Sequence, residues 1–341
     1  MTANKLGIHD KQATVILGAG ATRGASCFTE SWVSAPLDAD FFQQVQKLAA
    51  LDQTDLLSDL LEFARDEFGE ELNISMEKFF TQIESLDNFH DTLKINRGPR
   101  VRRYARILNE FTAAVGTVFS LLEEQTPTKS ATCTYHEALV RTLYSGDTIL
   151  SFNYDCIVDN ALRTSAGKRW DAQAGYGYEA VNFTGWHDHS GKGRTSQTPI
   201  QLLKLHGSLN WDRNHASRLR LRKSPYEKAN RAKNEIVPPV WDKRVSDDPI
   251  LSEIWKRARQ ALGRGPVLVV VGYSVPETDL LSQSLLRVAT TENNRTLSHL
   301  IVANPTIDTR KKIISLIQRA LAPDTSIYEV NSLAELAPLL N

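Results

Sequence analysis

The sequence predicts an α/β fold: a doubly wound, Rossmann-like parallel sheet with an inserted helical module. Three observations predict it. Short apolar, β-branched runs recur along the chain, apolar stripes at helical spacing lie between them, and the runs end in small or polar residues. The clearest run is Pro266-Val267-Leu268-Val269-Val270-Val271, continuous in the way of a strand buried on both faces of a parallel sheet. In such sheets ligands lie outside the carboxyl ends of the strands, so those ends are where chemistry is sought.

Composition bounds the rest. The chain has 341 residues, enough for one large core. Lys plus Arg number 40 and Asp plus Glu number 40, so net charge makes no case for a nucleic-acid or membrane partner. No run approaches the roughly 18 apolar residues of a membrane span, and residues 1–7 lack the apolar core of a signal peptide. Cys27, Cys133 and Cys156 stand far apart, in the pattern of neither a disulfide framework nor a zinc ribbon. A soluble, cytoplasmic protein is expected.

Ala13-Thr14-Val15-Ile16-Leu17 reads as the first strand. It breaks into Gly18-Ala19-Gly20-Ala21-Thr22-Arg23-Gly24-Ala25-Ser26, small residues that let backbone N–H groups approach a phosphate. The dehydrogenase fingerprint needs a third glycine where Arg23 stands, and 32–37 is a poor second strand to carry Asp38 or Asp40 to a ribose, which disfavours hydride transfer. From 37 to 144 the spacing turns helical. Phe41, Val45 and Leu48 share a face, as do Leu56, Leu57, Leu60 and Leu61. Met76, Phe79, Phe80, Ile83 and Leu86 form a third stripe, and 101–122 a longer one. This is read as an inserted module, with the Rossmann-like core at 13–36 and 145–341 of a single domain spanning 1–341. Its acids (Asp52, Asp55, Asp59, Glu62, Asp66, Glu67, Glu70, Glu71) and its bases (Lys94, Arg97, Arg100, Arg102, Arg103) are segregated, as on solvated faces or at a subunit contact.

The sheet resumes at 147–152 and ends in Asn153-Tyr154-Asp155. Asp155 suits a cap on a helix at 156–163, whereas Asn153 lies too early to cap it. The Gly- and aromatic-rich segment 170–189 reads as hairpins or an irregular flap, and its His187-Asp188-His189 as surface rather than metal ligands. Leu202-Leu203-Lys204-Leu205 is a strand delivering His206-Gly207-Ser208 at its end. A histidine there suits a base near neutral pH, although a lone one is more often a core residue packed behind a turn. Residues 213–233 hold eight basic side chains with Glu227 as the only acid, a solvated loop or a partner contact. A helix at 247–262, the 266–271 strand ending in Gly272-Tyr273-Ser274, a helix capped by Thr278 or Asp279, a strand at 297–303 ending in Asn304, a helix at 306–321, a strand at 325–330 and a last helix complete the pattern.

Five strand ends in this order resemble the sirtuin family, which binds NAD+ and breaks its nicotinamide–ribose bond. Gly18-Ala19-Gly20-Ala21-Thr22 is similar to the sirtuin Gly-Ala-Gly-Ile-Ser loop and Phe152-Asn153-Tyr154-Asp155 to its Gln-Asn-Ile-Asp. His206-Gly207-Ser208 resembles its His-Gly, Gly272-Tyr273-Ser274 its Gly-Thr-Ser, and Asn304 its late asparagine. The zinc ribbon of protein-deacylating sirtuins has no counterpart. Together with Leu209-Asn210-Trp211 and Gly272-Tyr273-Ser274-Val275-Pro276-Glu277-Thr278-Asp279, this resembles the bacterial branch in anti-phage defence that hydrolyses NAD+, some members beside a HerA-type ATPase or an Argonaute-type protein.

The resemblance implies NAD+ as substrate, no metal, a homo-oligomer, no membrane partner and no evident direct nucleic-acid contact, with 213–233 leaving the last open. It also implies roles. Asn153 would bond the ribose hydroxyls or the attacking water and His206 would take a proton; Asp155 would orient the carboxamide side or its loop. Gly18, Ala19, Gly20, Ala21, Thr22 and Ser274 would hold the pyrophosphate, and Asn304 would face the adenosine ribose. Ser26, Gly207, Ser208 and Gly272 are expected beside them. Protein deacylation, ADP-ribosyl transfer and non-catalytic NAD+ or ADP-ribose sensing are the alternatives, and a free NADase would need gating.

Overall fold

Ala13–Leu17 forms the first strand, β1, and all five of its residues are buried, as a central parallel strand requires. A computed structural model of the chain describes residues 11–28, 32–93, 99–125, 132–180, 198–214, 216–222, 235–237, 245–277, 279–290, 292 and 296–340. After β1 come a short helix α1 (Ala19–Arg23) and four helices: α2 (Phe41–Ala49), α3 (Leu56–Phe68), α4 (Met76–Thr92) and α5 (Pro99–Glu124). A sixth, α6 (Thr134–Thr142), leads into β2 (Thr148–Ser151), α7 (Ile157–Ser165) and β3 (Gln201–Lys204). Four short strands follow: β4 (Gly207–Ser208), β5 (Trp211–Arg213), β6 (Leu219–Leu221) and β7 (Glu235–Ile236). The chain ends with α8 (Pro249–Leu262), β8 (Val267–Val271), α9 (Leu280–Ala289), β9 (Leu297–Ala303), α10 (Ile307–Leu316), β10 (Leu321–Val330) and α11 (Leu333–Leu340).

Six strands make one parallel sheet in the order β10-β9-β8-β1-β2-β3. The chain winds outward from β1 to β3, then crosses back to β8 and winds outward on the other side. That is the doubly wound order, and its switch point lies between β1 and β8. All six expected strands are present. The helix expected over 306–321 stops at Leu316, and a single turn at Gln318–Ala320 lets β10 start at Leu321 instead of Thr325. Asp248 caps α8, accepting from the amides of Ile250 and Leu251, with Pro249 in the first turn where its missing N–H costs nothing.

The helical stretch builds its own aromatic core. Phe42, Phe63, Phe79, Phe80 and Phe111 are buried and meet edge-to-face, Phe80 and Phe111 at 4.5 Å between centroids. Phe111 continues this core to Tyr154, at 6.1 Å. The helices thus reach the end of β2. Their segregated charges meet within the chain: Arg103 on α5 binds Asp66 of α3 at 2.8 Å, and Arg106 lies 3.4 Å from Asp59. That contact between α3 and α5 takes up part of the two charge stretches, and a homo-oligomer rests on the resemblance. Lys94 and Arg97 lie outside the described residues.

Two further expectations change. The segment expected as a flap packs into the core over its described part, with Trp170 and Tyr176 buried; His187, Asp188 and His189 lie outside the described residues. The basic stretch is not a loop at its start. β5 and β6 pair antiparallel, Arg220 and Arg222 bind Asp212, and Arg213 binds Asp248. The neutralising acids stand outside 213–233, Asp212 just before it and Asp248 well after it. Residues 223–233 lie outside the described residues. No helix among the described residues is long and apolar enough to cross a membrane.

Candidate active site

Register brings the five strand ends into one row. Leu17 pairs with Ser151 and with Val271, Ser151 with Lys204, and Val271 with Ala303. One residue further, Gly18, Phe152, Leu205, Gly272 and Asn304 each extend the ladder by one backbone bond, for example Gly18 N to Val271 O at 2.9 Å. Asn153, His206 and Tyr273 follow at the next position. The residues picked from scattered points of the sequence therefore share one edge, at and beside the switch point.

The glycines are needed first for each other. The Gly20 amide donates to Gly272 O at 2.9 Å. A Cβ on Gly18 would lie 2.6 Å from that same oxygen, and one on Gly20 would lie 2.8 Å from Gly272 Cα. Gly272 has φ +61, and a Cβ there would meet the Ala21 nitrogen at 2.1 Å. Two loops from the central strands thus touch backbone to backbone, as only glycine permits. The amides of Gly18, Gly20 and Ala21 are spent on Val271 O, Gly272 O and Gly18 O. Ala19 between them is exposed.

Asn153 is held by this loop. Its Nδ2 donates to Gly18 O and to Thr22 Oγ1, both at 3.0 Å. Gly18 O can only accept, which sets the amide's orientation. The Thr22 hydroxyl in turn donates to Asp155 Oδ2 at 2.6 Å, while Asp155 Oδ1 accepts from the Ile157 amide at 3.0 Å, at the start of α7. Thr22 and Asp155 are both buried. Together they form a support behind Asn153, in which Asp155 orients its own loop, one of the two roles expected of it. With both amide hydrogens committed, the group Asn153 can offer outward is its Oδ1, a hydrogen-bond acceptor, on a half-buried side chain.

His206 sits in an aromatic frame. Phe152 meets its ring edge-on at 5.3 Å, and Tyr273 stacks on Phe152 at 4.7 Å and 17°. Tyr154 lies tilted at 6.3 Å and donates its hydroxyl to Val237 O at 2.8 Å. Burial, with the charges of Glu77, Asp279 and Asp38, pushes the Tyr154 phenol well above its usual range; burial and Asp279 do the same to Tyr273. His206 Nε2 lies 3.9 Å from Asp279 Oδ2, and both residues are buried. Asp279 read from sequence as a helix cap, and it does cap α9, accepting from the Ser282 amide at 3.4 Å. Its second face, toward His206, had no local signal. Neither had Glu77, buried at the start of α4 with its amide bonded to Asp38 Oδ1 at 2.7 Å.

The remaining candidates divide. Ser274 is exposed at the tip of the Gly-Tyr-Ser loop, and the loop is clamped around it. Asn304 Nδ2 donates to Tyr273 O at 3.3 Å, Lys312 Nζ to Val275 O at 2.8 Å, and Val275 holds φ +53, a strained backbone for a β-branched residue. Asn304 is buried, and its Oδ1 accepts from the Thr306 amide at 3.1 Å, so it secures the loop. Ser26 Oγ accepts from the Thr134 amide at 2.9 Å and lies 3.5 Å from Cys133 Sγ, at the start of α6. Gly207, at φ +75, turns the chain into β4. Ser208 is fully buried, its hydroxyl near Tyr154 O and Cys156 Sγ, because strand alternation points it inward.

Behind the edge lies a buried ion pair. Lys204, fully buried, binds Asp159 Oδ2 at 3.2 Å and donates to Asp155 O. The Tyr176 hydroxyl donates to Asp159 Oδ1 at 2.6 Å and accepts from Asn210 Nδ2 at 3.1 Å. Burial works most strongly against the lysine's charge, but Asp159, Cys156 and Asp155 together outweigh it and hold the ammonium above its usual range. Among the described residues, no three or more His, Cys, Asp or Glu side chains gather as a metal-binding group.

A family model for SIR2-like domains matches residues 147–318, half of the chain. The match spans Asn153, Asp155, His206, Gly272, Ser274 and Asn304 and starts after the Gly18–Ser26 loop. No curated protein matches the chain. SIR2-like domains are NAD-dependent enzymes, in keeping with a doubly wound sheet whose polar strand ends gather at its switch point. By this match the chain belongs to the SIR2-like family.

Proposed function

We propose that the protein hydrolyses NAD+ to ADP-ribose and nicotinamide, with Asn153 and His206 as the reacting side chains. One observation carries the reading: the ends of β2 and β3 place Asn153 and His206 at equivalent positions on neighbouring strands, beside the glycine contact at the switch point. The residues suit a dinucleotide. Glycine backbones without Cβ atoms, exposed Ala19 and exposed Ser274 border the crevice where a pyrophosphate would lie.

Nicotinamide leaves NAD+ as a neutral molecule, so the reaction needs no acid for the leaving group. What remains is to hold the ribose, to place water and to remove its proton. Asn153 Oδ1 accepts from a ribose hydroxyl or from the water, in an orientation fixed by Gly18 O and Thr22. His206 accepts the proton, its ring held by Phe152 and its charge facing Asp279. The aromatic frame of Phe152, Tyr154 and Tyr273 keeps bulk water from the imidazole. A role in anti-phage defence, a homo-oligomeric assembly and a HerA-type partner extend this reading on the strength of the resemblance, and a gate on activity goes with them.

The test is the fate of the ADP-ribosyl group. The purified protein is incubated with NAD+, with and without an acetyl-lysine peptide, and products are resolved by chromatography and mass spectrometry. Free ADP-ribose and nicotinamide, unchanged by the peptide, support hydrolysis. An acetylated ADP-ribose or an ADP-ribosylated protein would replace it with transfer. Thermal stabilisation by NAD+ without products would indicate a sensor.

A further inference from the structure

We infer that Asp279 is a positioning residue for His206, a carboxylate that the start of α9 places against the imidazole so that the ring can take up and hold a proton. The observation is the 3.9 Å between His206 Nε2 and Asp279 Oδ2, with side-chain exposures of 11% and 4%. At that separation the interaction is one of charge, and charge acts across such a gap strongly where water is largely excluded. Asp279 is not free to swing away, because its other oxygen accepts from the Ser282 amide as the cap of α9. The local sequence explains both bonds. A cap residue must sit at the first turn of α9, and the strained Val275 with Pro276 turns the loop after β8 toward the end of β3.

The groups around the imidazole set the sign. Tyr154 and Tyr273 are the titratable neighbours in the aromatic frame, and burial keeps both phenols protonated. Glu77 from α4 and Asp38 before α2 add charge that Tyr154 feels, on the same side of neutrality as Asp279. A carboxylate 3.9 Å from the ring attracts a proton carried on it.

The role assigned to His206 rests on the hydrolase reading, whereas its pairing with Asp279 does not, and the experiment separates them. Asparagine caps a helix as well as aspartate does, so Asp279→Asn keeps the cap and removes the charge. Histidine-labelled protein is titrated by NMR, with the His206 resonance identified by its loss in His206→Gln. In Asp279→Asn the His206 midpoint should fall by about one pH unit, and the other histidines should not move. Asp279→Glu should restore most of it, and Asp279→Ser, another good cap, repeats the test if the asparagine variant fails to fold. An unmoved midpoint in a folded variant overturns the proposal, whatever the protein does to NAD+. Where NAD+ is consumed, kcat should fall about 10- to 100-fold, part of the roughly 10²–10⁴-fold that a base supplies, with KM little changed. A rise in KM at constant kcat would contradict a positioning role.

Discussion

Gly18 and Gly272 meet with no room for a side chain on either: the space where a Gly18 Cβ would stand is 2.6 Å from Gly272 O. This contact ties the ends of β1 and β8, the two strands that flank the switch point, and sets where the loops of the site begin. Gly272→Ala combines a φ of +61 with a clash against the Ala21 nitrogen. Left-handed strain and overpacking each cost about 1–3 kcal/mol, so the variant should lose roughly 2–6 kcal/mol, measured by urea unfolding. A loss below about 1 kcal/mol would mean that the loops separate easily.

Thr22 should matter through Asn153. Its hydroxyl joins Asn153 Nδ2 to Asp155 Oδ2, so Thr22→Val leaves a buried carboxylate oxygen and an amide hydrogen without partners. The cost is about 1–3 kcal/mol in stability. Turnover should fall by roughly tenfold, as 1.4 kcal/mol of lost orientation implies, while Thr22→Ser retains most of both. Equal activity in the valine and serine variants would detach Thr22 from the site.

Lys204 and Asp159 are a pair that cannot be halved. Both are fully buried, and removing one partner leaves a charge without compensation. Lys204→Met should cost about 3–5 kcal/mol. The double variant Lys204→Met/Asp159→Asn should be more stable than the single, because an amide still accepts from Tyr176. If the double variant is the less stable, the pair is worth more than its charges.

Cys133 supplies a pH dependence. Burial opposes its thiolate, but hydrogen bonds from His136, the charge of that residue and Ser26 outweigh burial, and the thiol is lowered to about 6. Cys27, close by, is raised to about 12, first by burial and then by Cys133. A folded value below the unfolded one means that the thiolate's contribution is complete above the unfolded value and is lost as pH falls through about 6. Stability should therefore rise between about pH 6 and 9, and Cys133→Ser should flatten that rise. The ultraviolet absorbance of the thiolate gives the midpoint directly; one near that of free cysteine would contradict the assignment.

Much of this was open to reading along the chain, because it is local. Strands such as Val267–Val271 declare themselves by continuous apolar residues, and their ends by the glycines and polar groups that follow. Asn153 stood out because it comes too early to cap α7. What local reading missed is who meets whom across the fold. Asp279 has a complete explanation as a helix cap, which hides its second neighbour in His206. The arginines of β5 and β6 looked unpaired because Asp212 and Asp248 lie outside the counted span. Asn304 and Ser208 drew attention through the resemblance and as polar residues after strands; packing uses the one to hold the loop after β8 and buries the other. Composition at a strand end shows where a site is, and tertiary contact decides which atoms face it.

The most direct measurement is the rate of NAD+ loss for the wild type beside His206→Ala and Asn153→Ala, each shown to be folded by its thermal transition. The wild type should turn over NAD+, and turnover should fall at least about 10²-fold in His206→Ala, with a comparable fall in Asn153→Ala. NAD+ loss at the wild-type rate in either folded variant would contradict the roles of these two side chains.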